Sequence, residues 1–217
     1  MVAIEKEITT ARGIVNVDVF VEDATKLPHL IYICECKYWE SQIPKSVVHS
    51  FRTVVTDFGA HVGYLISKKG FQSGAYDAAS NSNVMLLSWD EFQQLFLDAW
   101  YVGMLKKVHS KCVGLRQYIM PPFDGGINKL LDTNQEAQSL YWAMYTKFCA
   151  FGEIMSIYSE YLNEKIPLPH SIIDPRYDFN GKIEVTTYRE HFETLLSSVD
   201  FATESFESFM DKYHLLR

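Results

Sequence analysis

Long apolar runs are missing from this 217-residue chain, and so is any surplus of basic residues. The longest apolar stretches, such as Leu30–Cys34 and Val84–Leu87, fall far short of the ~20 residues that a membrane helix needs. No basic-then-apolar leader precedes a small-residue cleavage site, so no secretion signal is expected and a cytoplasmic location is. Four cysteines (Cys34, Cys36, Cys112 and Cys149) are too few and too scattered for a disulfide framework, and none form the CxxC pairs of zinc sites. They read as small core residues in a reducing compartment. The seven histidines lack HExxH or HxH spacing, which argues against a histidine metal centre.

The formal net charge is −7, and both parts of the chain share it. Residues 1–104 carry 8 basic against 12 acidic residues (8 − 12 = −4), and residues 105–217 carry 12 against 15 (12 − 15 = −3). A standing polyanion binder usually shows the opposite balance. Any affinity for nucleic acid must therefore come from a local basic surface, bound metal or oligomerisation.

What is present is a clear α/β pattern. Val15, Val17, Val19 and Val21 alternate with Asn16, Asp18, Phe20 and Glu22, which predicts a strand with one buried face. Ala3–Thr9 is its expected partner through a turn at Ala11-Arg12-Gly13, and Leu30–Trp39 is the next strand. Pro44 opens a helix whose Val47, Val48, Phe51, Val54, Val55 and Phe58 recur at helical spacing until Gly59 stops it. Strands are expected at Val62–Ser67 and Val84–Leu87, with a short helix at Gln72–Ala79 between them. A further helix should run from Trp89 to about Gly103.

Beyond residue 104 the pattern turns helical, which sets expected domains at 1–104 and 105–217. Pro121-Pro122 and Gly125-Gly126 read as a loop, and the glycine pair as a turn with no phosphate-loop pattern around it. Asn134–Lys165 reads as one long helix with a stripe of Tyr141, Met144, Tyr145, Phe148, Met155, Tyr158 and Leu162. That stripe exceeds what one neighbouring helix covers, so self-association is expected of this part. The proline-rich stretch Ile166–Tyr177 reads as a connector, Lys182–Tyr188 as a short strand, and Tyr188–Tyr213 as the last helix. Trp39, Trp89, Trp100 and Trp142 read as packing anchors.

The chemistry concentrates in Asp18 and in Glu35-Cys36-Lys37. Glu35 and Lys37 are two apart, so on a strand they share a face with Ile31, Ile33 and Trp39. A carboxylate and an ammonium on a mostly apolar face are costly unless paired or used. If the strands are neighbours, Asp18 approaches Glu35, and the two can hold one divalent cation with the backbone carbonyl of Cys36. Oxygen donors with positions left for water and phosphate suit Mg²⁺, with Mn²⁺ as the expected substitute. Lys37 can orient the attacking water, take its proton, or steady developing negative charge. Lys45, His49, Arg52 and Thr56 lie opposite the apolar stripe of the helix after the motif, and Lys68-Lys69-Gly70 ends a strand. Lys45, His49, Arg52, Lys68 and Lys69 are thus candidate nucleic-acid contacts, set against the plain reading of a solvated surface.

In order, Val17-Asp18-Val19, Glu35-Cys36-Lys37-Tyr38-Trp39, the helix near Pro44, Gly59-Ala60 with Gly63-Tyr64-Leu65-Ile66-Ser67, Gly70-Phe71 with Ala75 and Ala78, and Val84–Leu87 form a specific series. That series, from Asp18 to about Phe96, resembles the catalytic domain of Mrr-type restriction endonucleases in the PD-(D/E)xK superfamily. The resemblance implies a restriction-endonuclease-like mixed sheet flanked by helices, here followed by a mainly helical C-terminal unit. It also implies Mg²⁺-dependent cleavage of DNA, often by a homodimer, in host defence. Two departures stand out. Val17 replaces the proline that often precedes the first acid. The superfamily core usually opens with a helix that can supply another acid, where this sequence shows a strand carrying Glu5 and Glu7. Two alternatives remain open: a nuclease acting on RNA or single-stranded DNA, and a catalytically inactive interaction protein with this fold.

Overall fold

The computed structural model describes the chain except for residues 26, 121–124, 153–164, 174–181 and 216–217. It divides into two compact units, Met1–Leu97 and Asp98–Arg217. No helix among the described residues is long and apolar enough to cross a membrane.

The first unit is a five-stranded mixed sheet in the order β1 (Val2–Thr10), β2 (Gly13–Asp23), β3 (Leu30–Lys37), β4 (Val62–Ser67) and β5 (Val84–Ser88). The β1–β2 and β2–β3 pairs are antiparallel, whereas β3–β4 and β4–β5 are parallel. Helix α1 (Lys45–Phe58) links β3 to β4, and α2 (Ser73–Ala79) links β4 to β5. Pro44 occupies the N-cap position of α1, where its missing N–H costs nothing, and Gly59 ends the helix in the left-handed conformation at φ 78°. The buried side chains of α1, Val48, Phe51 and Val55, pack with Ile33, Leu65 and Val84 into the main core. Gly63 lets α1 lie close on β4: a Cβ there would stand 2.5 Å from Val55 Cγ2 and 2.8 Å from Phe51 Cε1. On the opposite sheet face Cys34, Tyr64 and Ile66 pack with Val19 and with Phe92.

Strand β2 does not keep one buried face, contrary to the simple alternation of its valines. Val15, Val17 and Phe20 pack toward the main core, while Val19 packs on the opposite side of the sheet. The change of face falls between the ladder pairs Ile4↔Val19 and Lys6↔Val17. Between them Glu5 has φ 49°, uncommon for a residue with a side chain, and Asp18 is its opposite number. A local break of this kind re-aims a side chain without shifting the register of the rest of the strand.

The second unit is mainly helical. It contains α4 (Gly125–Thr133), α5 (Gln135–Phe148), α6 (Tyr188–Lys212) and most of α3 (Trp89–Ile119), with a two-stranded sheet of β6 (His170–Ile173) and β7 (Lys182–Val185). Asn134 caps α5 by accepting from Ala137 N at 3.0 Å, and Thr187 with Glu190 forms a reciprocal cap on α6. Tyr141, Phe148, Phe192 and Phe206 are fully buried in one core, where the Tyr141 hydroxyl donates to Tyr118 O at 2.5 Å.

Several expectations need correction here. Helix α3 runs past Gly103 to Ile119, because Tyr101, Leu105, Val108, Cys112, Leu115 and Ile119 continue the buried stripe. Gly125-Gly126 opens α4 and is no turn. The long helix is interrupted, with α5 ending at Phe148 and a turn at Cys149; Met155, Tyr158 and Leu162 lie outside the described residues. Strand β6 lies within the stretch read as a connector. Tyr141 and Phe148 are covered by Phe206 and other residues of the same unit. All four tryptophans are partly exposed, by between 37% and 52%, and Trp89, Trp100 and Trp142 pack on Phe92, Phe192 and Tyr141 respectively.

Candidate active site

The antiparallel register runs through Val21↔Tyr32, Phe20↔Ile33 and Val19↔Cys34. One step further along the two strands it sets Asp18 against Glu35. The Asp18 carboxylate Oδ2 accepts the backbone N–H of Cys36 at 2.6 Å. Glu35 Oε1 accepts from Lys37 Nζ in an ion pair whose two side chains are each about four-fifths covered. Asp18, Glu35, Cys36 and Lys37 therefore meet at one place, at the C-terminal end of β3. The structure brings these four together.

Strand β4 supplies the floor beside them. Glu35 pairs with Leu65, Cys36 with Ile66 and Lys37 with Ser67. Ser67 is buried, donates to Gly70 O at 2.9 Å and accepts from Lys69 N at 3.3 Å, which shapes the turn after β4. The backbone N–H of Lys68 donates to Lys37 O at 3.1 Å, so this turn is fastened to the motif strand. Open α/β sheets generally bind ligands at the carboxyl ends of parallel strands, and β3 and β4 both end here.

The other candidates have distinct placements. Lys45 and His49 are exposed on α1. Arg52 is half-buried and donates from Nη1 to Ala78 O at 2.5 Å, which ties α1 to α2. Lys68 is ion-paired with Glu40 and lies 4.0 Å over the Tyr38 ring; Lys69 lies 3.7 Å from the same carboxylate. Glu40 and Tyr38 were missed as members of this surface. An acid three residues beyond Lys37 carried no sequence signal, because its lysine partners come from β4's far end.

The electrostatics around the motif favour uncharged thiols. Burial pushes Cys34 up to about 12, helped by Cys36 and Asp18. Partial desolvation, then Asp18 and Glu35, raise Cys36, with Lys37 opposing. Among the described residues no group of three or more histidine, cysteine, aspartate or glutamate side chains is placed to hold a metal ion. A hard cation that keeps most of its water, however, is commonly bound through only one or two carboxylates and the substrate phosphate. Asp18, Glu35 and the carbonyl of Cys36 are a donor set of that kind.

No curated protein matches the chain. A crystal structure of a protein of unknown function is similar at 12% identity over 75% of this chain and 89% of that one, with a TM-score of 0.38, too remote to carry function across. Residues 4–96, nearly the whole first unit, match the restriction endonuclease family model of the Mrr catalytic type.

Proposed function

We propose that the N-terminal unit is a metal-dependent endonuclease that hydrolyses DNA phosphodiester bonds, in defence against foreign DNA. The observation that carries the reading is the meeting of Asp18 with the Glu35–Lys37 pair through the Cys36 amide at 2.6 Å. Asp18, Glu35 and the Cys36 carbonyl would hold Mg²⁺, with Mn²⁺ as substitute. When bound, the cation polarises a phosphodiester oxygen and offsets the charge that grows on attack.

The chain's own groups do the rest. Lys37 is held by Glu35 where its ammonium can orient the attacking water and face the negative charge on the phosphate oxygens. Asp18, fixed by the Cys36 N–H, keeps its carboxylate on that same edge of the sheet. Lys45, with Lys68 and Lys69 at the strand end, supplies cations for the DNA backbone, and His49 a hydrogen-bonding ring, on a chain whose average charge opposes it. Arg52, occupied by Ala78 O, contributes by holding α1 and α2 together. Cutting both strands of a duplex takes two sites or one site acting twice, so a homodimer suits the reaction.

A second reading, a catalytically silent nucleic-acid-binding domain, draws support from the small number of metal donors among the described residues. Incubation with plasmid, linear duplex or RNA, in Mg²⁺, Mn²⁺ or EDTA, separates the two. Cation-dependent cutting of DNA is expected; binding without cutting in any cation would favour the silent domain.

A further inference from the structure

We infer that Tyr38 and Trp39 form a stacking platform that gives this site a preference for nucleic acid with unpaired bases. The inference rests on the nuclease reading above and deepens it by naming the form of the substrate. Both rings follow Lys37 directly, at the mouth of the candidate active site. Tyr38 is 81% exposed and Trp39 42% exposed, so neither ring is used as core.

Each ring is accompanied by a cation. Lys68 Nζ lies 4.0 Å from the centroid of Tyr38, and Lys37 Nζ lies 5.8 Å from that of Trp39. Lys68 is itself tied to the motif strand by its backbone bond to Lys37 O at 3.1 Å. Two exposed aromatic rings thus stand at the end of β3, each beside an ammonium group that is itself paired with a carboxylate, Lys37 with Glu35 and Lys68 with Glu40. Proteins that bind single strands combine these two elements, cations along the backbone and rings beneath the bases.

The occupant follows from what each element can recognise. A ring face gains nothing from a base whose own faces are covered inside a duplex, so the platform rewards an unpaired or extruded base. Stacking tolerates any sequence, because every base has a π-face. It also supplies affinity without net positive charge, which matters for a chain with a net charge of −7. Interleaved lysines make the surface a poor apolar dock for protein and a good one for an anionic chain of aromatic units. Stacking does not read the sugar, so single-stranded DNA and RNA share the required chemistry.

The test is fluorescence anisotropy in EDTA with a labelled single-stranded DNA, the same sequence as RNA, and its blunt DNA duplex. The proteins are the full chain, Tyr38→Ala, Trp39→Ala and Trp39→Phe. Loss of one ring is expected to lower the single-strand-to-duplex affinity ratio by about 5- to 150-fold. Trp39→Phe, which keeps a ring, should retain most of the preference, and an unchanged duplex affinity in Trp39→Ala shows that its loss is not misfolding. An unchanged ratio in both alanine variants, or equal losses for single strand and duplex, would overturn the platform. Cleavage by the same proteins in Mg²⁺ keeps the two readings apart. Cutting that persists while the ratio never moves removes the platform alone, and a wild-type chain that neither binds nor cuts removes both.

Discussion

The Asp18 carboxylate accepts the backbone N–H of Cys36 at 2.6 Å, so the acid of β2 is fastened to the middle residue of the Glu35-Cys36-Lys37 motif. That bond gives Asp18 two separable roles, as a structural acceptor and as a charged donor to a cation. Asp18→Asn keeps an acceptor and loses the charge, whereas Asp18→Ala loses both. Cleavage should be abolished in both variants. Only the alanine should lower stability, by about 1 kcal/mol, since Cys36 is exposed and water can replace part of the bond. Equal cleavage by Asp18→Asn and wild type would remove Asp18 from the cation site.

Glu40 holds Lys68 and Lys69 together at the end of β4. Its carboxyl sits below the usual range, chiefly through its hydrogen bond with Lys68, so the pair is charged at neutral pH. Glu40→Gln releases two ammonium groups beside the site. DNA binding in EDTA should tighten at low salt, and the slope of log K against log salt should steepen by up to about 2. Binding curves over a salt series decide this, and an unchanged slope would mean that neither lysine reaches a phosphate.

Gly63 marks the closest approach of α1 to β4. Gly63→Ala should destabilise the first unit by about 1–3 kcal/mol, because Val55 and Phe51 must move within a packed core. Urea unfolding measures it, and a loss below a few tenths would show that α1 can shift outward freely.

His191 of α6 is buried and shares a hydrogen bond of 2.9 Å with His170. Burial, then the neighbouring His170, lower it from 6.5 to about 4. The unfolded chain therefore takes up a proton that the folded unit refuses between about pH 6.5 and 4. Stability from this group is present above pH 6.5 and is lost as pH falls through that window. Thermal melts should show the second unit losing Tm from about pH 7 to about pH 5, and His191→Phe should flatten that dependence. A wild-type Tm that does not fall over this range would contradict the assignment.

Elements fixed by local pattern were legible in the chain. Strand β4 occupies the expected Val62–Ser67, and α6 differs from the expected Tyr188–Tyr213 only at its last residue. The pairing of β2 with β3 that sets Asp18 beside Cys36 was also legible, because strand periodicity and short connections decide it. The rest depended on information that a local pattern does not hold. The change of face in β2 coincides with the positive φ of Glu5, on a different strand. Strand β6 exists through pairing with β7, in the register His170↔Val185 to Ile173↔Lys182, across a separation that local composition cannot report. Helix α3 passes Gly103 because buried residues continue its stripe beyond it, which outweighs the cost of about 1 kcal/mol for a helical glycine, so its glycine punctuates nothing.

The most direct measurement is conversion of supercoiled plasmid to nicked or linear DNA by the wild-type chain and by Glu35→Ala, each in Mg²⁺ and in EDTA. Conversion is expected only for wild type in Mg²⁺, with DNA binding by Glu35→Ala in EDTA retained or tightened, because a carboxylate that repels phosphate is gone. Undiminished Mg²⁺-dependent conversion by Glu35→Ala would contradict the site, since the cation would then be held elsewhere.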